Sequence, residues 1–158
     1  MTGMQRALAG FAMAALLVGA GPAHAQAQGQ GQPDVVRQLL ATVLDNLHTY
    51  ECGAAKCAPA TAAEKANPPI SNEDATLVVE RGLVSAAGMH CGMEWGRRNF
   101  GPLMTYLRDD RKQSDRQMAI ISALHGMSQA LFTQVVQEQG PCSPQLRVEL
   151  DTVLDFKP

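Results

Sequence analysis

Apolar residues recur along most of this chain at spacings of three and four, which is the period of an amphipathic helix. The first stripe starts behind Asp34, a residue type that caps helix N-termini, and runs out near Cys52. A first helix is therefore predicted from about Asp34 to about Cys52. Residues 53–70 contain Ala, Pro and Lys without a period, so they are predicted to form a long loop.

A second helix is predicted from Ser71 to about Arg98. Ser71 stands three residues ahead of Asp74, an arrangement that satisfies free backbone N–H groups at a helix start. No Asp, Glu, Lys or Arg occurs from Gly82 to Met93, so protein should cover most of the helix circumference there. This is expected to be the central helix of the fold.

Three glycines in that helix, Gly88, Gly92 and Gly96, are four residues apart and fall on one face. Each lowers helix propensity by about 1 kcal/mol relative to Ala. We expect the close approach of another helix along this glycine ridge to offset the cost. The alternative is that the glycines mark a break in the helix.

The region after this helix is predicted to turn and then form another short helix. Phe100-Gly101-Pro102 indicates a corner, and the apolar residues of 103–107 suggest one or two helical turns. Residues 108–112 mix charges of both signs, which is typical of a solvated connection.

Two more helices are predicted near the C-terminus. Ser114 and Gln117 form a capping box that opens a helix with a long apolar stripe, and Gly140-Pro141 ends it. Ser143-Pro144 opens a last short helix. No strand pattern or repeat is present, so the sequence predicts an all-α, single-domain bundle of four to five helices with two disulfides.

The N-terminus has the parts of a secretory signal peptide. Arg6 precedes an apolar stretch at 8–20, and Ala23-His24-Ala25 supplies the small residues that signal peptidase needs. Residues 1–25 are predicted to be the signal peptide, residues 26–33 a disordered tether, and residues 34–158 the helical domain.

The predicted signal peptide indicates an exported protein, which would be periplasmic if the source is Gram-negative and secreted otherwise. No later apolar run approaches the roughly 20 residues needed to span a bilayer, so no transmembrane segment is expected after cleavage. The alternative is that the signal stays uncleaved as an anchor.

The chain has four cysteines, Cys52, Cys57, Cys91 and Cys142, all beyond the signal. In an oxidising compartment two disulfides are expected, and we favour Cys52 with Cys57 and Cys91 with Cys142 among the three possible pairings. The CxxxxC spacing lacks the CxxC of thiol oxidoreductases and zinc knuckles, so a redox or metal role for the cysteines is disfavoured.

Composition excludes some classes of partner. Lys and Arg number 13 against 15 Asp and Glu, and aromatic residues make up 4% of the chain. A nearly balanced charge and so few rings disfavour a nucleic-acid-binding surface.

Two histidines lie among methionines. His90 is on the second helix close to Met93, and His125 is in the helix that starts at Ser114. If these helices pack side by side, imidazole and thioether groups could converge, and such donors suit copper or the axial ligation of haem. The plainer interpretation is that both histidines are structural and that methionine fills the core.

No catalytic constellation is visible in the sequence. Ser85 and His90 are five residues apart on one helix, so they point roughly 140° away from each other and cannot form a local dyad. GxSxG, HExxH, P-loop and Rossmann patterns are absent. An uncharacterised enzyme is therefore only a second alternative.

A cluster at the expected end of the second helix combines Trp95, Arg97 and Arg98. Trp and Arg dominate interface hot spots, so these residues could bind a partner, although a helix C-terminal cap is the simpler explanation for them. The sequence predicts a non-enzymatic module that binds an unidentified protein or small ligand. A copper or haem carrier using His90, Met93 and His125 is the first alternative.

Overall fold

The computed structural model describes residues 31–158, with side chains from residue 34 onward. The predicted signal peptide at 1–25 lies outside the described residues, as does the predicted tether up to residue 30. The first helix begins at Gly31 rather than at Asp34 and therefore includes Pro33. Proline is tolerated there because first-turn N–H groups have no partner within the helix.

Helices make up nearly all of the regular structure in residues 31–158, which confirms the predicted all-α class. There are six α-helices in this range rather than four to five, because one short helix, α2, was not expected. The α-helices are α1 (Gly31–Asp45), α2 (Ala62–Ala66), α3 (Asn72–His90), α4 (Gly101–Thr105), α5 (Asp115–Glu138) and α6 (Pro144–Val153).

The three serine caps predicted from the sequence are all present. Ser71 Oγ accepts the N–H of Asp74 at 3.0 Å. Ser114 Oγ accepts the N–H of Gln117 at 3.4 Å, and the Gln117 side chain accepts the Ser114 N–H at 2.8 Å. Ser143 caps α6 in the same way. Side chains thus satisfy N–H groups that the start of each helix leaves without a partner.

The predicted second helix is shorter than expected, because α3 ends at His90. Gly92 has a φ of +62°, and its N–H bonds to the Met89 carbonyl at 3.0 Å. The Met93 N–H bonds to the Gly88 carbonyl at 2.8 Å. These two bonds form a Schellman motif, in which a glycine in the left-handed conformation closes a helix. At Gly92 the alternative interpretation, a helix break, is therefore the right one.

The predicted corner at 100–102 is wrong, because the chain stays helical from 96 to 110. The Gly101 N–H bonds to the Gly96 carbonyl five residues back, which is the wider ring of a π turn. Pro102 follows this π turn, at the start of α4. We call residues 96–110 the composite helix. Its parts are a π turn (Gly96–Phe100), α4 and a second π turn (Tyr106–Asp110).

The segment predicted as a loop contains two short elements. Strands β1 (Glu51–Cys52) and β2 (Ala55–Lys56) form a minimal antiparallel hairpin after a 3-10 turn at Leu47–Thr49. α2 follows Thr61, whose hydroxyl accepts the Glu64 N–H at 3.1 Å, while Glu64 accepts the Thr61 N–H at 2.8 Å. This capping box was a sequence signal for α2.

An ion pair attaches α2 to α5. Arg116 Nε lies 2.7 Å from Glu64 Oε1, and Arg116 Nη1 donates to the Ala58 carbonyl at 2.9 Å. The hydrogen bond from Arg116, together with the bond from the Thr61 backbone, lowers the pKa of Glu64 to about 2. α2 is therefore fixed to α5 even though none of its own residues is buried.

α3 and α5 form the centre of the fold and approach most closely at Gly82. A Cβ placed on Gly82 would lie 2.5 Å from Ser128 Oγ and 3.1 Å from the His125 carbonyl oxygen. Ser128 Oγ donates to the Val79 carbonyl at 2.7 Å. Only glycine leaves the two helix backbones room to cross this closely.

The predicted glycine ridge is therefore only partly correct. A Cβ on Gly88 would lie 3.0 Å from Leu154 Cδ1, so Gly88 does permit close packing. Gly92 ends α3, and a Cβ on Gly96 would meet no atom within 4 Å. The close approach of the central helices lies at Gly82, between one and two turns earlier than Gly88.

Both disulfides have the favoured pairing. Cys52–Cys57 closes the hairpin, with Cα atoms 4.9 Å apart. Cys91–Cys142 joins the end of α3 to the residue before the cap of α6, with Cα atoms 5.1 Å apart. Disulfides persist in oxidising compartments, so these two bonds are consistent with a location outside the cytoplasm.

Of the described helices, α5 alone is long and apolar enough to cross a membrane by length and composition. From the sequence, no segment after the predicted signal peptide was expected to be long and apolar enough for this, so α5 departs from that prediction. Within its apolar window, 39% of the residues are buried inside the fold. The core helix of a soluble protein passes the same test, so the observation is weak support for a membrane span.

Candidate functional site

The three predicted metal ligands do not meet. His125 Nε2 lies 3.1 Å from Ser85 Oγ, and His125 is 1% exposed. His90 follows Ser85 by five residues on α3, so it points roughly 140° away from the face that contacts His125. Met93 packs against a separate small core around Leu150. In residues 31–158 no group of three or more His, Cys, Asp or Glu is placed to hold a metal ion.

Two aromatic rings enclose His125. The Phe100 ring centroid is 4.7 Å from that of the imidazole, and the Trp95 ring is stacked on it at 6.5 Å. Both rings come from the stretch around the start of the composite helix. Trp95 therefore serves in part as a cover for a buried histidine.

Four polar residues, Arg81, Ser85, Asn99 and His125, form one hydrogen-bonded group that we call the buried polar cluster. Asn99 Nδ2 donates to Ser85 Oγ at 2.8 Å and to the Arg81 carbonyl at 2.7 Å. Arg81 Nε donates to Asn99 Oδ1. Ser85 and Asn99 are completely buried, so each of these bonds satisfies a group that water cannot reach.

Arg81 also holds the C-terminal segment, which we define as residues 151–156. Its two terminal nitrogens donate to the carbonyls of Val153, at 3.1 Å, and Leu154, at 2.8 Å. Its guanidinium lies 5.6 Å from the centre of the Phe156 ring. The cluster thus connects α3, α5, the composite helix and the C-terminal segment.

The chemistry of the cluster resembles a serine activated by a histidine. Asn99 donates to Ser85 Oγ, which leaves the serine hydroxyl proton available to a neutral imidazole. Burial, with the positive charge of Arg81, lowers the pKa of His125 to about 4, while a bond with the Arg81 backbone opposes the shift. Because Ser85 is fully buried, no substrate can reach it in this conformation. The arrangement supports a structural role.

The residues predicted to bind a partner are largely engaged within the chain. Arg98 lies 2.6 Å from Asp151 and 2.7 Å from Asp155, and its carbonyl accepts the N–H of Phe156 at 2.8 Å. Arg97 is exposed and pairs with Glu94. Arg98 therefore anchors the C-terminal segment and does not offer a free charge.

A cleft of about 450 Å³ opens between α1, α2 and α3, and we call it the α1–α3 cleft. Its floor is the buried face of α1, at Val36, Leu40 and Leu44. Arg37 and Lys65 are its only charged lining residues among those the structure describes. The other lining residues are Ala41, Ala66, Pro68, Asn72 and Thr76.

A second depression of about 710 Å³ follows the outer face of α5, and we call it the α5 groove. It is wide and open to solvent. Small side chains such as Ser122, Gly126 and Ala130 form much of its wall, and Arg108 and Asp115 form an ion pair at 3.0 Å across it. The α5 groove offers less enclosure than the α1–α3 cleft, and small-molecule sites are typically concave.

The buried polar cluster was not predicted from the sequence, although a signal for it existed. His125 and Ser128 interrupt the buried apolar stripe of α5, where a polar residue requires a partner from another element. His90 lies on the same helix as Ser85, whereas His125 is 40 residues away from Ser85 in the chain, so spacing along one helix does not indicate the Ser85–His125 pair.

Comparisons with protein-family models, with curated proteins and with solved structures found no significant match to this chain.

Proposed function

We propose that this protein is an exported, non-enzymatic helical module that binds a small, mainly apolar ligand in the α1–α3 cleft. The observation that carries the proposal is the cleft itself, which opens between three helices over a floor formed by the apolar face of α1. Pockets of roughly 300–1,000 Å³ with apolar walls and few polar groups are typical of small-molecule sites, and the volume of 450 Å³ falls in that range.

The remaining polar features support a binding function over catalysis. The Ser85–His125 pair is sealed inside the protein, and the arginines Arg81 and Arg98 are committed to the C-terminal segment. The predicted signal peptide and the two disulfides support export, because disulfides are stable outside the cytoplasm.

The proposal is tested with a neutral fluorescent probe, N-phenyl-1-naphthylamine, whose emission rises in apolar surroundings. We expect purified protein to enhance its emission and decanol, an uncharged ten-carbon alcohol, to displace it. Ala41 is exposed and lines the cleft, so Ala41→Phe should fill the site and abolish the enhancement.

The matched control is Ala130→Phe, which places the same side chain in the α5 groove. This variant should bind the probe like the wild-type protein. Probe binding that Ala130→Phe abolishes and Ala41→Phe leaves intact would move the site to the α5 groove. No saturable binding by the wild-type protein would refute the proposed function.

A further inference from the structure

Positive charge is the feature of the α1–α3 cleft that the proposed function does not use. Arg37 on α1 and Lys65 on α2 both line it, and no Asp or Glu among the described residues does so. A ligand with its apolar part on the floor therefore has two cationic side chains, and no carboxylate, among the described residues that line the cleft around it. This charge pattern complements an anion and disfavours a cation.

Both cations can exchange their present partners for a ligand. Arg37 pairs with Asp34, and Lys65 Nζ lies 2.6 Å from Asp45 Oδ1. All four side chains are between 47% and 71% exposed, and neither carboxylate lines the cleft. Exposed ion pairs of this kind contribute little to stability, so replacing one carboxylate with another costs little.

From this arrangement we infer that the ligand is an anionic amphiphile, a straight-chain carboxylate of about ten carbons, a size that suits a cleft at the lower end of the usual range. The alkyl chain lies along Val36, Leu40 and Leu44, and the carboxylate binds one of the two cationic side chains that line the cleft, Arg37 towards one end or Lys65 towards the other. Arg37 can donate two parallel hydrogen bonds to a carboxylate, whereas Lys65 offers a point charge. This inference rests on the proposed function and names its ligand class.

The test is calorimetric titration of purified protein with decanoate and decyltrimethylammonium below their micelle-forming concentrations, and with decanol below its solubility limit. We expect decanoate to bind roughly tenfold more tightly than decanol, which corresponds to one favourable charge interaction, and the cation to bind more weakly than decanol. Octanoate should bind roughly fifteenfold more weakly than decanoate, since each buried methylene changes affinity about fourfold.

Charge variants separate the head-group contact from the apolar contact. In the double variant Arg37→Gln and Lys65→Gln, decanoate should bind only as tightly as decanol, while decanol binding stays unchanged. Arg108→Gln is the matched control, because Arg108 is an exposed cation that lines the α5 groove. It should leave the preference for decanoate intact.

Each contrary outcome points to a different failure. Equal affinity of the wild-type protein for decanoate and decanol, or a preference for decanoate that survives in the double variant, overturns the anionic ligand and leaves the proposed function standing. Absence of binding by all three compounds overturns both. Sedimentation at several protein concentrations tests a second copy of the chain as occupant, and a dimer that Ala41→Phe dissociates would also overturn the inference.

Discussion

The buried polar cluster consists of polar side chains, whereas the α1–α3 cleft has an apolar floor. The two regions also differ in whether their chemistry is available to a ligand. The cluster consists of polar groups that look chemically active, yet each is bonded to another part of the chain. The cleft has an ordinary apolar floor, yet the helices around it leave a space above that floor. The contrast shows that reactive-looking side chains can serve stability alone, while a plain helix face can be the better candidate for binding.

The largest loss of stability is expected from Asn99→Leu. Leucine has a similar size to asparagine, but it cannot form the hydrogen bonds at the centre of the buried polar cluster. Arg81 Nε, the Arg81 carbonyl and Ser85 Oγ each lose a bond from Asn99. Since one of these groups is charged and all lie in or near the core, we expect the free energy of unfolding to fall by about 4 kcal/mol.

Urea unfolding at neutral pH measures this loss. The matched control is Asn67→Leu, which changes an exposed residue at the end of α2 and should cost under about 1 kcal/mol. Equal losses in the two variants would show that the cluster contributes no special stability.

The next largest effect should come from acid. An unfolded histidine takes up a proton near pH 6.5, but His125 in the folded protein does so only near pH 4. Between these values the unfolded chain binds more protons, so the free energy of unfolding decreases as pH falls. Lowering the pH from 7 to 4 should therefore reduce the free energy of unfolding by about 3 kcal/mol.

Urea unfolding at several pH values checks this, and an NMR titration gives the pKa of His125 directly. The groups that face His125 are Arg81 and Ser85 from α3 and the rings of Trp95 and Phe100, and none of these provides a negative charge to stabilise the imidazolium. His125→Gln should flatten the pH dependence, whereas exposed His48→Gln should retain it. A measured pKa above 6 for His125 would contradict the prediction.

A local effect is expected from Arg98→Gln, which removes the ion pairs to Asp151 and Asp155. Amide hydrogen exchange should become faster in the C-terminal segment and change little in α1 and α2. Arg97→Gln, which alters a neighbouring arginine on the surface, serves as the control and should change neither. Uniformly faster exchange across the chain would instead mean that Arg98 supports the whole fold.

The smallest effect on stability is expected on the cleft side. Ala41→Phe adds a ring to an exposed position, so the melting temperature should stay within about 2 °C of the wild-type value. A differential scanning calorimetry trace is sufficient to measure it. A large decrease would show that the cleft closes in solution and belongs to the core, and the contrast between the two regions would then disappear.

Local signals in the sequence predicted most helix starts. Ser71, Ser114 and Ser143 cap helices because each satisfies N–H groups within one turn, an interaction that needs no distant partner. The disulfide pairing was also favoured from spacing and compartment, and the structure has the same pairs.

The features that were not predicted from the sequence depend on contacts between residues that are far apart in the chain. The glycine pattern could indicate a ridge or a break, and only the Schellman turn at Gly92 and the crossing at Gly82 distinguish the two. Arg81 and Asn99 were not singled out because their partners are far away in sequence. The α1–α3 cleft likewise depends on the position of α2 beside α1. Residues 53–70 were predicted to be a loop, so neither α2 nor the cleft was expected.

The hydrogen bonds from Arg81 to the carbonyls of Val153 and Leu154 have a consequence for the timing of folding. The carbonyls that Arg81 binds are more than 70 residues away along the chain. While a ribosome is still making the intervening residues, Arg81 and the groups bonded to it have no C-terminal partner. The hydrogen bonds from Arg81 to the C-terminal segment can therefore form only after the last helix has emerged.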